Sequence, residues 1–262
     1  MIKITGKDNK TLKLIKSLKK KSNRTEQGLF VAEGKRIVDE AFRYAPERVK
    51  LVVVTESFAL KEPEFVEKAT DVCESIFAVS ESAFDEISDT DTPQGVLAVI
   101  EMPDDRLKNL ADAKNIVVLD GVSEPGNMGT VIRTAEALGF DCVYIMKGSA
   151  DVFGHKTVRA TMGSVFRMKF RTDCSADDIV NLQSLGFSVI STTPCGDTVL
   201  EEMDVPEKTA VVIGNEAHGV CDEILEVSDL KVKISMDGLA ESLNAAVAAG
   251  IAMHWIKNAS KK

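Results

Sequence analysis

Apolar residues fall in short blocks along this chain, and their spacing alternates between a helical and a strand period. Leu12, Ile15 and Leu18 recur at i, i+3 and i+6, a narrow stripe that predicts one basic helix docked by a single face. Residues 28–34 read as a strand ending in a glycine turn, and residues 35–44 as a helix. The run 49–55 contains Val52, Val53 and Val54 in succession, too short for a helix and suited to a buried strand. A helix over 62–69, strands over 76–79 and 95–100, and a helix over 80–87 complete the first hundred residues. Strands joined by helical crossovers predict a small α/β sandwich.

Residues 102–114 are polar and charged and read as a linker between a domain spanning 1–101 and another spanning 115–262. The second opens on the apolar run 116–119, a strand buried on both faces. A turn-rich loop over 120–129 and a helix over 130–138 follow, with the helix ending at Gly139. Further strands are predicted over 142–146, 188–191, 209–213 and 230–234, with helices near 156–163, 177–185 and 242–257. Five strands with crossovers make a parallel, doubly wound α/β sheet, whose ligand sits beyond the carboxyl ends of the strands.

Charge changes the picture more than composition does. The 262 residues carry a net charge of -9, which by itself argues against a polyanionic partner. Yet residues 1–24 hold nine basic side chains against the single acid Asp8, leaving +8 there and -17 over the rest. Such asymmetry directs a polyanion to one end of the molecule. Lys13, Lys16, Lys20, Lys21 and Arg24 in this stretch, with Arg36 beyond it, are the candidate contacts for the phosphates of such a polyanion; a solvated helix face is the plainer alternative. The five cysteines are odd in number, widely spaced and without a C-x-x-C pair, suggesting neither disulfides nor a thiolate metal site. No apolar run reaches membrane-spanning length and the start lacks a signal-like apolar region, so a soluble, cytoplasmic protein without a metal is expected.

Three segments carry the candidate chemistry. They are Asn127-Met128-Gly129-Thr130-Val131-Ile132-Arg133-Thr134, then Gly214-Asn215-Glu216-Ala217-His218-Gly219, then residues 234–244, from Ile234 through Ser235, Met236 and Ser242 to Asn244. Each places amide or charged side chains beside glycines at the end of an apolar run, where backbone approaches a ligand closely. Gly121, Gly126 and Gly129 do not fit G-x-G-x-x-G and no G-K-[ST] follows, which removes dehydrogenase and P-loop readings. Taken in order, the three segments resemble the signature of the SpoU (TrmH-like) RNA ribose 2'-O-methyltransferases. Phe30-Val31-Ala32-Glu33-Gly34 and Thr92-Pro93-Gln94-Gly95-Val96 resemble the substrate-binding domain that precedes many of their catalytic domains.

The resemblance implies a carboxy-terminal SPOUT-like parallel sheet tied in a trefoil knot, a homodimer, and S-adenosylmethionine as methyl donor. It assigns donor contacts to Gly214, Ile234 and Leu243, with Thr192 and Met236 as further wall residues. It makes Arg133 the catalytic arginine, as general base or, with less strain on a guanidinium, as a cation that stabilises a developing alkoxide. Asn127 would orient Arg133, contact the ribose, or simply cap a helix. Glu216 would hold Arg133 or neighbouring backbone. Ser242 and Asn244 would position cofactor and substrate, Ser242 alternatively capping the last helix. His218 reads as a loop residue. The sequence departs from the family at Ser235, where proline is usual, and at Thr161, where serine is usual. The implied substrate is 23S rRNA; transfer RNA and a catalytically silent RNA-binding relative are the alternatives.

Overall fold

The computed structural model describes residues 1–6, 9–103, 110 and 112–259. They form two compact units, Met1–Pro103 with Asp151–Phe166, and Asp104–Ala150 with Arg167–Lys262. The expected linker 102–114 lies largely outside the described residues.

In the first unit the elements are β1 (Ile2–Lys3), α1 (Lys10–Ser17), α2 (Lys21–Gln27), β2 (Leu29–Glu33), α3 (Lys35–Tyr44), β3 (Val49–Thr55), α4 (Glu56–Lys61), α5 (Pro63–Val72), β4 (Ile76–Val79), α6 (Glu81–Ile87) and β5 (Val96–Glu101). The strands make one mixed sheet in the order β1-β4-β3-β5-β2, with β5 antiparallel to both neighbours. Leu12, Ile15 and Leu18 are buried against Leu51, Val53, Phe84 and Leu97, so the expected apolar stripe forms the docking face. The single basic helix is corrected to two. The first stops at Leu18, whose backbone N–H bonds the Leu14 and Ile15 carbonyls, and Lys20 is extended before the second begins. The helix expected over 62–69 is likewise preceded by a separate one, α4, because Pro63 at the first position of α5 starts a new helix.

The second unit contains β6 (Asn115–Leu119), α7 (Pro125–Ala137) and β7 (Cys142–Met146). Helix α8 (His155–Ala160) follows in the chain but packs in the first unit. Then come β8 (Phe170–Cys174), α9 (Ala176–Ser184), β9 (Ser188–Thr192), β10 (Thr198–Val199), β11 (Thr209–Ile213), α10 (Asp222–Val227), β12 (Leu230–Lys233) and α11 (Ala245–Ala259). Among the described residues seven strands rather than five form one sheet in the order β10-β12-β9-β11-β6-β7-β8, with every pairing parallel. Strands β6, β7 and β11 are buried along their whole length, as expected for parallel strands covered on both faces. Among the described residues no helix is long and apolar enough to cross a membrane. All five cysteines are free, with Cys142 and Cys174 inside the core of this unit.

Candidate active site

At the carboxyl end of β11 the chain turns through residues 214–219, a loop closed on itself. Asn215 and Gly219 exchange both backbone hydrogen bonds, at 2.8 and 2.9 Å. The Asn215 side chain locks the turn: its Oδ1 accepts from the backbone N–H groups of Ala217 (2.8 Å) and His218 (3.1 Å), and its Nδ2 donates to the Gly121 carbonyl at 2.7 Å. A Cβ on Gly214 would lie 2.1 Å from the Gly219 carbonyl carbon, so only glycine permits this closure. Asn215 escaped the sequence reading, although an Asx side chain at a turn is a recognisable signal.

The loop forms one wall of a cavity of about 470 Å³ in the second unit. Gly214, Ile234, Met236, Leu243 and Thr192, all expected to meet the donor, line it together, as do Ser242, Glu216 and His218. Thr192 contributes mainly as structure, because its hydroxyl donates to the Val212 carbonyl at 2.9 Å. The volume and mixed lining fall in the range of small-molecule sites. Apolar walls from Ile234, Leu243 and Leu225 suit a flat heteroaromatic ring, and the backbone of 192–195 and 214–219 supplies polar groups, so the residues present fit an adenosine-type donor.

Beside the cavity, Glu216 organises a relay of polar contacts. Its carboxylate accepts from the Ser123 N–H (3.2 Å) and hydroxyl (3.0 Å), the Glu124 N–H (3.3 Å) and the Asn127 side-chain amide (2.9 Å). Asn127 Oδ1 in turn accepts from Asn244 Nδ2 at 3.0 Å. Asn244 Oδ1 caps α11 by accepting from the N–H groups of Ala246 (2.9 Å) and Val247 (3.3 Å). Partial burial pushes the Glu216 pKa upward, but the Asn127 amide and the Ser123 donors outweigh it and hold the carboxyl at about 2. The three signature segments therefore meet through Glu216, Asn127 and Asn244.

Several expectations need correction here. Helix α7 begins at Pro125 rather than Thr130, with Glu124 as its N-cap accepting from Gly126 N–H at 3.4 Å, so Asn127 sits inside the first turn and caps nothing. The glutamate-proline pair was the signal available in the sequence. Helix α11 begins at Ala245 with Asn244 at its cap, so Ser242 is not the cap and lies exposed on the cavity wall. Among the described residues no hydrogen bond or ion pair joins Glu216 or Asn127 to Arg133; Glu216 takes the backbone alternative instead. Arg133 is exposed on α7, and a separation of six residues turns it about 120° from Asn127 around the helix.

The basic amino terminus divides in the same way. Lys13, Lys20, Lys21 and Arg36 are exposed, whereas Lys16 is half-buried and pairs with Glu86 at 2.5 Å. Arg24 is only 7% exposed; its guanidinium grips Asp151 and donates to the carbonyls of Leu18 (2.6 Å) and Lys19 (2.9 Å). It is a structural clasp within the first unit and no longer a candidate for phosphate. No cluster of three or more potential metal ligands occurs among the described residues.

A parallel α/β unit with a ligand cavity beyond its strand ends, walled by a glycine-closed loop and flanked by an ionised carboxylate–amide relay, defines a class of small-molecule-dependent α/β enzyme. Residues 114–254 match the model of the SpoU rRNA Methylase family, and residues 9–98 match the MRM3-like substrate binding domain. The chain belongs to the SpoU rRNA methylase family. It is 34% identical to the 23S rRNA (guanosine(2553)-2'-O)-methyltransferase RlmP of Bacillus subtilis (strain 168), over 98% of this chain and 100% of that protein. Its fold is similar to an AdoMet-bound rRNA methyltransferase from Sinorhizobium meliloti, with TM-score 0.84, 29% identity and coverage of 98% and 97%. It also resembles the SpoU methyltransferase AviRb from Streptomyces viridochromogenes in complex with AdoMet, with TM-score 0.86, 26% identity and coverage of 95% and 97%.

Proposed function

We propose that this protein transfers a methyl group from S-adenosylmethionine to a ribose 2'-hydroxyl of 23S rRNA in the cytoplasm. The observation that carries the reading is the convergence of Gly214, Ile234, Met236 and Leu243 on one cavity beside the Glu216–Asn127–Asn244 relay. Similarity to an enzyme that acts on 23S rRNA, along nearly the whole chain, supports the choice of RNA. A bound donor supplies a sulfonium-activated methyl group, so what the protein must add is alignment and stabilisation of the ribose oxygen. Glu216, with its pKa near 2, is too weak a base for that proton at neutral pH. It acts as the fixed anchor that holds loop 123–124 and the start of α7 in register. Asn127 and Asn244 tie that anchor to the cavity wall, and Ser242 faces the cavity as a substrate-positioning hydroxyl. Arg133, exposed and cationic, holds the adjoining phosphate and stabilises the developing alkoxide.

Residues 1–101 present the RNA, with Lys13, Lys20, Lys21 and Arg36 toward phosphate. The enzyme is a homodimer. An apolar groove of about 500 Å³ in the second unit supports this, where Val247 and Ile251 are 51% and 38% exposed and the buried indole N–H of Trp255 finds no acceptor among the described residues. The carboxy-terminal unit is knotted. The placement of β12 between β9 and β10 supports this, as does Gly196, where a Cβ would meet the Val232 carbonyl carbon at 2.5 Å. An experimental backbone trace checks it.

The test is transfer of radiolabelled methyl from S-adenosylmethionine to unmodified 23S rRNA, to transfer RNA and to a no-RNA control, with Arg133→Ala in parallel and nucleoside analysis of the product. Label recovered as a 2'-O-methylnucleoside in 23S rRNA, and lost with the variant, is the expected result. Label confined to transfer RNA, or none on any RNA despite donor binding, overturns it.

A further inference from the structure

Among the described residues, five arginines serve the fold. Arg24 engages Asp151, Arg43 the Tyr44 ring, Arg48 the Phe166 carbonyl and Glu47, Arg167 Glu136, and Arg171 Asp178. Arg36, Arg133 and Arg159 have no hydrogen bond, ion pair or ring contact with described residues, and all three are exposed. Arg133 belongs to the site described above. The other two line one concavity of about 430 Å³ in the first unit. Arg36 comes from the first turn of α3. Arg159 comes from α8, which lies within the residues matched by the SpoU methylase model yet packs against β2 of the first unit.

The walls of this concavity are held by the protein itself. Glu33, buried beneath it, accepts from the hydroxyls of Ser88 (2.5 Å) and Thr90 (2.6 Å) and from the Asp89 N–H (3.0 Å), which fixes the loop after α6. Gln94 Oε1 accepts from the Lys35 N–H at 2.8 Å and ties the following loop to the start of α3. Asp91, Thr92 and Gln94 are exposed on the same rim as the two arginines. A bare anion would gain from Arg36 and Arg159 but lose against Asp91. A nucleotide uses both signs: its phosphates accept from guanidinium groups, and its base edge offers amino donors and acceptors to Asp91 and Gln94. Those edges are accessible in unpaired RNA and hidden from side chains in the deep groove of an A-form helix.

We infer that this concavity seats one unpaired nucleotide of the RNA substrate, with Arg36 and Arg159 on its flanking phosphates and Asp91 and Gln94 on its base. The inference rests on the RNA-methyltransferase reading above and adds a recognition subsite that draws on both halves of the sequence.

Steady-state methylation of 23S rRNA by Arg36→Gln, Arg159→Gln and the double variant tests it. Arg43→Gln, which removes the same charge from α3 away from the concavity, is the control. Each subsite variant raises the KM for RNA about 10-fold and leaves kcat within about twofold. The dependence of RNA affinity on salt becomes shallower by about 0.7 per arginine removed. Donor affinity by calorimetry and the melting temperature stay at wild-type values, and ultraviolet cross-links from residues 90–94 map to an unpaired nucleotide. Unchanged KM in the double variant of an enzyme whose wild type methylates RNA overturns the subsite, as does a matching KM rise in the Arg43 control or a cross-link confined to a paired stem. Failure of the wild type to methylate any RNA overturns instead the functional reading on which the subsite depends.

Discussion

Glu216 is a carboxylate fixed by its neighbours, with its hydrogen-bonding capacity spent on the Ser123, Glu124 and Asn127 donors. Its carboxylate stays ionised across the working pH range because it accepts from the Asn127 amide and from the Ser123 and Glu124 backbone. The pH profile of kcat is therefore expected to show no ionisation from Glu216 above about pH 4. Asn127→Ala removes the principal donor and the link to Asn244, and single-turnover methyl transfer is expected to slow roughly 100-fold, the scale of a small misplacement of reacting groups. A loss smaller than about threefold would remove the relay from the mechanism. Gly214→Ala acts through backbone instead. The added methyl collides with the Gly219 carbonyl carbon, so the loop must open. The expected cost is about 3 kcal/mol of stability together with loss of donor binding, read by thermal melting and calorimetry. Of the residues singled out in the sequence, Glu216, Asn127 and Asn244 are visible as polar side chains beside glycines, but the hydrogen bonds that join them span 89 and 117 positions and exist only in the fold. Arg24 was misjudged because nothing local reveals that Asp151, far along the chain, takes its charge.

At the level of elements, legibility follows burial. The covered strands β3, β6, β7, β9 and β11 announce themselves as apolar runs. The missed strands β1, β8 and β10 all lie at sheet edges, where solvent on one side removes the continuous apolar signal. Two of the three six-residue helices among the described residues, α4 and α10, also escape, because so few residues barely register a period. Glu33 at the end of β2 illustrates a contact between elements that only folding creates. Burial raises its pKa, but His155, with Nε2 at 3.3 Å though poorly aligned, and the Ser88, Thr90 and Asp89 donors lower it to about 2. A folded-state pKa below the ordinary 4.5 means stability fully present above about pH 4.5 and lost as the pH falls toward 2. Glu33→Gln is expected to cost about 3 kcal/mol at pH 7, and its deficit against wild type should shrink between pH 5 and 2.5 in denaturant titrations. A deficit independent of pH would sink this account.

On the scale of the molecule, the exposed apolar side chains on α11 make an association prediction. Val247→Glu with Ile251→Glu is expected to convert the proposed dimer into a folded monomer by light scattering, since both side chains are already partly in solvent; an unaltered mass removes the groove from the interface. The sequence by itself determined two α/β parts, the buried strands, the positive amino terminus and the three polar segments, because each is encoded in local period or composition. Tertiary structure alone decided that those segments share one cavity edge, that Glu216 anchors backbone rather than Arg133, and that residues 151–166 complete the first unit. Those outcomes depend on pairings between residues tens to more than a hundred positions apart. Their energies are set by burial and by competition among partners, and no local pattern records which partner wins.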